Sequence, residues 1–386
     1  MRRPLGGLPL ALALGCVLVG CARSKPKQEP ARTHQRTVAA AKQRPETERV
    51  SPKLAQVGHD PHWSPDPEDT AYEPLVGWPN PKPWPGPGTA PVVSTWAGSV
   101  IGGPGGNTRE TMLFFGIYAM TFDAAGNLYV ADGPRIQVIA PNGAVGEFKH
   151  ATLEAVSFVP TSMAFDHQGN LYATDYQAGL FKFAPNGEAS VVAAGKFGAQ
   201  ALHQPQQFER AWGLAVDAAD NVYVSDQEAN VIKRITPAGD VSTFARGFDE
   251  PEGLAFDGGG NLLVADHRAN CIQRVSPSGQ VTTLIRLLKG NILPAELAWH
   301  PSGAIYFSAQ QLYRLDPDGT CTVLSPANQG TTGYIGHDLG HTRFLNAGEI
   351  AVDRAGDLYV SDFGSNTNGS PCGIRKVAFQ AGSWPR

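Results

Sequence analysis

Short apolar stretches alternate with polar turns along residues 90–386 and recur at regular intervals. The string "GNLYVAD" at 126 has close relatives at 169, 220, 260 and 356. Each follows an apolar stretch that ends in Asp, such as "GLAVD", and precedes another apolar stretch and a turn such as "PNG". Apolar runs of about five residues bounded by Gly, Asn, Asp and Pro are typical of β-strands joined by tight turns. The pattern therefore predicts units of four strands.

The spacing of these units indicates the architecture. They begin at 126, 169, 220, 260, 303 and 356. Four-stranded repeats of this length predict a β-propeller with one blade per unit. The sixth unit lacks a fourth strand, and "VSTWAG" at 93–98 matches "VSTFARG", the fourth strand of the third unit. We predict an all-β, six-bladed propeller over residues 90–386, whose N-terminal strand completes the last blade and leaves no long unpaired edge.

An aspartate ends the second strand of most units, and we expect its role to be structural. The set is Asp132, Asp175, Asp226, Asp266 and Asp362. A carboxylate at a strand end can accept backbone N–H groups of the following loop. Unit five differs, because His300 replaces the aspartate of its first strand and Ala309 that of its second. Its blade should still form.

Units three and four carry the fullest version of the repeat. They read "RAWGLAVDAADNVYVSDQEANVIKRITPAG" and "EPEGLAFDGGGNLLVADHRANCIQRVSPSG", which resemble NHL repeats. That family builds six-bladed propellers, and the resemblance extends over about three quarters of the chain. It implies a fold rather than one activity, because the same architecture hosts lyases, lactonase-like hydrolases and binding modules.

The first 20 residues have the layout of a secretory signal peptide. Arg2 and Arg3 precede an apolar stretch at 8–19, which is shorter than the roughly 20 residues needed to span a bilayer. The string "LVGC" at 18–21 resembles the lipobox of bacterial lipoproteins, which implies cleavage before Cys21 and lipid on that cysteine. Ala22 then implies sorting to the outer membrane of a Gram-negative cell, facing the periplasm or the surface. The alternative is an ordinary cleaved signal with an incidental cysteine.

Residues 21–89 have a different composition from the repeats. They are rich in Pro, Lys and Arg and show no period of 2 or 3.6, which predicts a disordered tether. Residues 22–53 hold nine Lys or Arg against three Asp or Glu, so the remainder of a chain with net charge -4 is acidic. An acidic head excludes nucleic acid as a partner, because phosphate binding needs a basic face.

Three cysteines remain after the signal peptide and the lipidated Cys21 are set aside. They are Cys271, Cys321 and Cys372. An odd number permits one disulfide at most, and their spacing fits no metal motif.

The central channel of a propeller is the default ligand position. Counting five residues back from the end of each first strand predicts the ring at its mouth: Tyr118, Thr161, Trp212, Glu252, Ala295 and Gly348. The loops after the second strands add Tyr176, Gln177, Gln227, Glu228, His267, Arg268 and Phe363. We expect Tyr118, Thr161, Tyr176, Trp212, Glu252, His267 and Arg268 to bind a protein, peptide or glycan. In a purely structural alternative, Trp212 and Tyr118 only plug the channel.

An enzyme is the competing interpretation of the same face. A metal-dependent lyase or lactonase-like hydrolase would use Glu252, His267 and Arg268 as acid, base and anion clamp. His203, His337 and His341 lie in long segments between units and could join His267 around a cation.

Known catalytic patterns argue against that enzyme. The histidines that hold zinc in the NHL-type peptide-amidating lyase have no counterparts here, and the streptogramin-lyase and gluconolactonase patterns are also missing. No nucleophile motif occurs. We therefore predict a monomeric, non-enzymatic binding module without a cofactor, and leave a divalent cation open.

Overall fold

The predicted apolar stretches are strands in the computed structural model of the protein. It describes residues 82–83, 92–98, 114–149, 158–287, 293–309, 311–324, 344, 346–362 and 372–379. The predicted signal peptide, Cys21 and nearly all of the predicted tether lie outside these residues. Among the described residues, no helix has the length and apolar character needed to cross a membrane.

Six antiparallel sheets are arranged as six blades. Two strands come first, β1 (Lys82–Pro83) and β2 (Val92–Ala97). Blade one is β3 (Ile117–Phe122), β4 (Leu128–Asp132), β5 (Arg135–Ile139) and β6 (Val145–Glu147). Blade two is β7 (Ser162–Phe165), β8 (Leu171–Asp175), β9 (Gly179–Phe183) and β10 (Ala189–Gly195), followed by α1 (Gly198–Ala201) and β11 (Gln206–Phe208).

The remaining blades repeat the same order. Blade three is β12 (Ala211–Val216), β13 (Val222–Asp226), β14 (Val231–Ile235) and β15 (Val241–Arg246). Blade four is β16 (Pro251–Phe256), β17 (Leu262–Asp266), β18 (Cys271–Val275) and β19 (Val281–Arg286). Blade five is β20 (Leu297–Trp299), β21 (Ile305–Ala309), β22 (Gln311–Leu315) and β23 (Cys321–Val323). Blade six contains β24 (Ala347–Val352), β25 (Leu358–Asp362) and β26 (Gly373–Ala378).

The ring closes as the sequence predicts. Strand β2 pairs antiparallel with β26, with Val93 opposite Val377, and so supplies the fourth strand of blade six. Two blades carry an additional parallel strand: β11 lies beside β10, and β1 lies beside β23. Lys82–Pro83 of the predicted tether therefore belongs to the sheet of blade five.

Both faces of the second strand of each blade are buried, which explains the continuous apolar character of these strands. In β4, Leu128 and Val130 pack towards blade six, whereas Ala131 packs towards blade two. Aromatic side chains join adjacent blades edge to face. Tyr223 lies 5.2 Å from Phe256 in the next blade, measured between ring centroids. Such contacts add about 0.5–1.5 kcal/mol to the gain from burial.

The aspartates that end the second strands hold a different segment from the one predicted. Asp132 Oδ1 accepts the N–H of Phe115 at 2.7 Å, and Asp226 Oδ1 accepts that of Arg210 at 2.8 Å. Both donors precede the first strand of the same blade. Asp175 also accepts N–H groups of its following loop, at Ala178, as predicted. The carboxylate reaches the preceding segment because the hairpin brings the two strand ends together.

His300 performs the turn role of the aspartate that it replaces. Its Nδ1 accepts the backbone N–H of Ser302 at 2.9 Å, as Asp257 Oδ1 accepts that of Gly259 in blade four. Its Nε2 lies 3.0 Å from the carbonyl oxygen of Gly356 in blade six. Nδ1 must be an acceptor here, so Nε2 carries the proton and links the two blades. Burial lowers the pKa of His300, which favours this neutral form.

Candidate functional site

The first strands of all six blades enclose a central channel with a cavity of about 320 Å³. One ring of channel-lining residues is almost entirely small, consisting of Thr121, Ala164, Ala215, Ala255, Ala298 and Ala351. Small side chains leave the channel open along this ring. Above it, Ser162, Glu296 and Glu349 also line the cavity.

A β-bulge decides which residues reach the channel mouth. The pairing register shifts near the start of the first strand in four blades, as between Ala211 and Leu214 or between Ala347 and Ile350. A bulge places two residues opposite one and re-aims their side chains. In blade six the channel is lined by the residue after the predicted mouth position, Glu349 after Gly348, and blades two and five likewise present Ser162 and Glu296 to the channel.

Serine hydroxyls near the ends of the second strands bond to the backbone at the start of the first strands. Ser361 Oγ accepts the N–H of Glu349 at 2.7 Å, and Ser308 Oγ accepts that of Glu296 at 3.2 Å. Ser225 Oγ donates to the Glu252 carbonyl oxygen at 2.7 Å. The hydroxyls fix the backbone that carries the glutamates.

Glu252 and His267 contact one another at the mouth. His267 Nδ1 lies 3.2 Å from Glu252 Oε2 and 3.2 Å from the Pro294 carbonyl oxygen, so Nδ1 carries a proton. Gln227 Nε2 donates to Glu252 Oε1 at 2.7 Å. Burial by itself lowers the pKa of His267, but the hydrogen bond and charge of Glu252 outweigh it, and the pKa is raised. The pair can hold or transfer a proton.

Glu296 and Glu349 lie deeper, enclosed by the inner strands. Burial raises the pKa of Glu296 to about 8. The hydrogen bond from the Leu297 N–H lowers this pKa, and the negative charge of Glu252 raises it further. Burial also raises the pKa of Glu349 well above its ordinary value, and repulsion from Glu296 and Glu252 raises it further. Three carboxyl groups from blades four, five and six therefore repel one another when ionised, which favours the protonated form of the deeper two.

Aromatic side chains surround the other half of the mouth. Tyr176 and Trp212 contact one another with ring centroids 6.4 Å apart. Tyr118 is 49% exposed, so it does not plug the channel. Thr161 Oγ1 lies 3.4 Å from the Trp212 carbonyl oxygen and so supports the backbone rather than offering a free hydroxyl.

Arg268 does not join the Glu252–His267 pair. Its Nη1 lies 3.1 Å from Glu250 Oε1, and its side chain is 58% exposed. His203, also exposed, follows the short α1. Phe363, His337 and His341 lie outside the described residues.

The repeat itself identifies the family. The NHL-repeat family profile matches residues 248–275, which run from the loop before β16 to the end of β18. These strands are one of six equivalent blades. This chain is an NHL-repeat β-propeller. No curated protein matches the sequence significantly.

Solved structures resemble the NHL propeller in fold. A structural genomics protein of unknown function from Bacteroides thetaiotaomicron has a TM-score of 0.57 at 16% identity, covering 75% of this chain and 76% of its own. An auxiliary nutrient binding protein from Bacteroides ovatus has a TM-score of 0.57 at 16% identity, and the match covers 74% of this chain and 76% of that protein. A gluconolactonase from Xanthomonas campestris has a TM-score of 0.52 at 15% identity, and the match covers 69% of this chain and 88% of that protein. Identities this low establish the fold alone.

The NHL propeller offers no metal-ligand cluster in its described part. No group of three or more His, Cys, Asp or Glu side chains there could hold a metal ion. Its three cysteines, Cys271, Cys321 and Cys372, are buried free thiols. Burial raises the pKa of Cys271 to about 11 and those of the other two to about 12, so all three stay protonated near neutral pH.

Sequence reasoning missed several residues of the face of the NHL propeller. Glu296 and Glu349 begin the strings "ELAWH" and "EIAVD", where other blades have Ala, Ser or Gly, so a comparison of units carried a signal. Phe115 and Phe197 are 78% and 66% exposed. They stand outside the repeat pattern and carried no such signal.

Proposed function

We propose that the NHL propeller is a non-enzymatic binding protein that recognises a protein, peptide or glycan on its channel face. Exposed aromatic side chains beside a channel lined with carboxyl groups support this function. Phe115, Tyr118, Tyr176 and Phe197 are 78%, 49%, 38% and 66% exposed. Exposed apolar side chains that are grouped into one patch mark interaction surfaces.

Tyr176, Trp212 and Phe197 are neighbours on this face. Tyr118 and Trp212 stand at the start of the first strands of blades one and three, and Tyr176 contacts Trp212. Phe197 is adjacent, because its N–H donates to the Gln177 carbonyl oxygen at 3.2 Å. Rigid aromatics with few rotatable bonds are the usual anchors of binding sites. Auxiliary nutrient binding proteins with this fold are consistent with such a use, although the ligand class rests on the residues of this chain.

Replacing the mouth aromatics tests the proposal. The full-length protein is screened on an array of immobilised peptides and oligosaccharides. We expect Tyr118→Ala and Trp212→Ala to weaken binding to the recognised array members at least tenfold, because each change removes an aromatic anchor, typically worth about 2 kcal/mol or more. Val92→Ala, which truncates another exposed side chain in the outer strand of blade six, is the control and should bind normally.

Two results of the array would oppose the binding function. Failure of the wild-type protein to bind any array member is one, and an equal loss in all three variants is the other. A melting curve of each variant separates lost affinity from lost folding. A purely structural role for Trp212 would lower the melting temperature instead.

The contact between Glu252 and His267 favours a second candidate, a lyase or lactonase-like hydrolase. At 3.2 Å the two side chains can move a proton, as an acid–base pair requires. Mass spectrometry of the recognised array members after incubation with the protein would detect cleavage products. New products support the enzyme, and intact ligands support binding.

We also propose that a lipid on Cys21 anchors the protein in the outer membrane. The signal-like residues 1–20 and the "LVGC" string support this proposal. In a Gram-negative host, we expect Cys21→Ser to abolish incorporation of a labelled fatty acid and to release the protein from the membrane fraction, because the only acceptor thiol in the lipobox is lost. Cys16→Ser is the control. Labelling that persists in Cys21→Ser would contradict the anchor.

A further inference from the structure

We infer that the channel beneath the aromatic mouth binds an alkylammonium group, as carried by a lysine side chain or a free polyamine. The inference rests on the proposed binding function and names the chemistry that the same site recognises. Glu296 and Glu349 would contact the cation, with Glu252 nearer the mouth. Glu296 and Glu349 are the residues whose positions point to a cation.

The fold does not require a carboxylate at these two positions. The equivalent positions of the other blades hold Ala119, Ser162, Gly213 and Gly253, and those blades form normally. Blades five and six alone place glutamate there. Their backbone N–H groups are satisfied by Ser308 and Ser361 in the same way as that of Gly213 is by Ser225.

The two carboxyl groups are poorly compensated by the protein. Glu349 has no hydrogen-bond or ion-pair partner for its carboxylate among the described residues, and Glu296 Oε1 accepts one N–H, from Leu297 at 3.2 Å. Within the described part of the chain, no Lys or Arg lines the cavity. Enclosing like charges without a counterion is costly. A cationic ligand would supply the counterion, and its binding would release the protons that the raised pKa values favour on the pair.

Ser162 gives independent support from the opposite side of the channel. This residue is 8% exposed, lines the cavity, and has a hydroxyl without a partner among the described residues. Buried hydroxyls are normally hydrogen-bonded. A free one facing the cavity is suited to a ligand group, since it can accept a hydrogen bond from an ammonium. The carboxylates and this hydroxyl together offer acceptors to the three N–H bonds of a primary ammonium.

The shape of the channel fits a slender chain rather than a bulky group. Its cavity of about 320 Å³ runs between the first strands, where the ring of alanines and Thr121 leaves it open. The aromatic pair of Tyr176 and Trp212 at the mouth would pack on the alkyl stem, while the charged end lies among the glutamates. Lysine side chains and polyamines both have this form.

Calorimetric titration of the full-length protein tests the inference directly. The probes are butylamine, spermidine and the tetrapeptide Gly-Lys-Gly-Gly with its N-terminus acetylated. The same peptide with an acetylated lysine is the ligand control. We expect measurable binding of at least one amine, no binding of the doubly acetylated peptide, and at least tenfold weaker binding by Glu296→Gln/Glu349→Gln. Glu188→Gln removes the charge of an exposed glutamate in a turn of blade two, far from the proposed cation site by sequence, and this variant should bind like the wild type.

Several outcomes would overturn the inference. They are the absence of binding by every amine, unchanged binding in the double glutamine variant, and displacement of the amines by Ca²⁺ or Zn²⁺ at equal concentration, which would identify a metal site. Tighter binding of the peptide than of spermidine would identify a lysine side chain as the source of the alkylammonium group. Tighter binding of spermidine would identify a free polyamine.

The inference and the proposed function can fail separately. Loss of the array ligands in Trp212→Ala tests the aromatic mouth, and loss of the amines in Glu296→Gln/Glu349→Gln tests the cation site. Array binding without amine binding would leave the proposed function standing and remove only the cation. Glutamine is close in shape to glutamate, and a melting curve of the double variant confirms that it folds.

Discussion

Gly213→Ala is expected to destabilise the propeller by about 3 kcal/mol, at the upper end of the typical cost of overpacking a close contact. A Cβ atom added at Gly213 would lie 2.1 Å from the Glu252 carbonyl oxygen and 2.9 Å from its carbon. Both atoms are backbone, so no side-chain rotation can relieve the clash. The first strands of blades three and four would have to separate.

Separation would also break a hydrogen bond that joins these blades. Ser225 Oγ accepts the Gly213 N–H at 2.7 Å and donates to the same Glu252 carbonyl oxygen at 2.7 Å. The substitution therefore disturbs the position of Glu252 as well as the packing. We expect the melting temperature to fall by several degrees, since 1 kcal/mol corresponds to about 2–4 °C in a protein of this size class.

Gly146→Ala is the matched control. Gly146 lies in the outer strand of blade one, and an added Cβ would meet no atom within 4 Å. The substitution should change the free energy of unfolding by no more than about 0.5 kcal/mol, as most surface substitutions do. Urea unfolding followed by circular dichroism compares the two variants. Equal midpoints for both would show that the inner strands do not depend on glycine at 213.

Asp226→Asn is expected to lower the free energy of unfolding by about 3 kcal/mol, because it leaves a half-buried lysine ammonium without its carboxylate. Asp226 is fully buried, and its Oδ2 lies 2.8 Å from Lys233 Nζ, whose side chain is 18% exposed. Its oxygens also accept the N–H groups of Glu209 and Arg210. An amide can keep one acceptor but cannot balance the lysine.

Asp266→Asn is the matched change in the next blade, and we expect the opposite sign. Asp266 has no lysine in contact; it accepts the Asp249 N–H at 2.7 Å and Gln273 Nε2 at 2.5 Å. Burial raises the pKa of Asp266 to about 6, although the Asp249 N–H opposes this. An amide can replace the carboxylate if Gln273 turns its side-chain amide over. Removing a disfavoured charge should then be neutral or stabilising at pH 7.5.

The pH dependence follows from the sign of that pKa shift. The folded state holds the proton of Asp266 more tightly than the unfolded chain, whose pKa is about 4. The stability of the wild type relative to Asp266→Asn is therefore highest below pH 4 and falls, by on the order of 2 kcal/mol, as the pH rises to about 6. Urea midpoints at pH 4, 5, 6 and 7.5 measure this difference. A constant difference over that range, or a loss in Asp266→Asn as large as in Asp226→Asn at pH 7.5, would contradict this account.

Local signals in the sequence were sufficient to predict the blades. Alternating apolar stretches, turn glycines and the "VSTWAG" match predicted six blades and closure by β2, and the structure confirms both. Such signals are readable because strand pattern and turn chemistry act over a few residues. His300 also behaved as expected, since blade five forms around it.

The tertiary structure decided which side chains meet in the channel. Glu252, Glu296 and Glu349 belong to three blades and are separated by more than forty residues, and a bulge at the start of β24 precedes the inward turn of Glu349. Arg268 follows His267 directly, yet it turns to Glu250 while His267 contacts Glu252. The sequence by itself determined the repeat, the strands and their closure. Convergence at the channel depends on bulges and on contacts between blades, which no local pattern records.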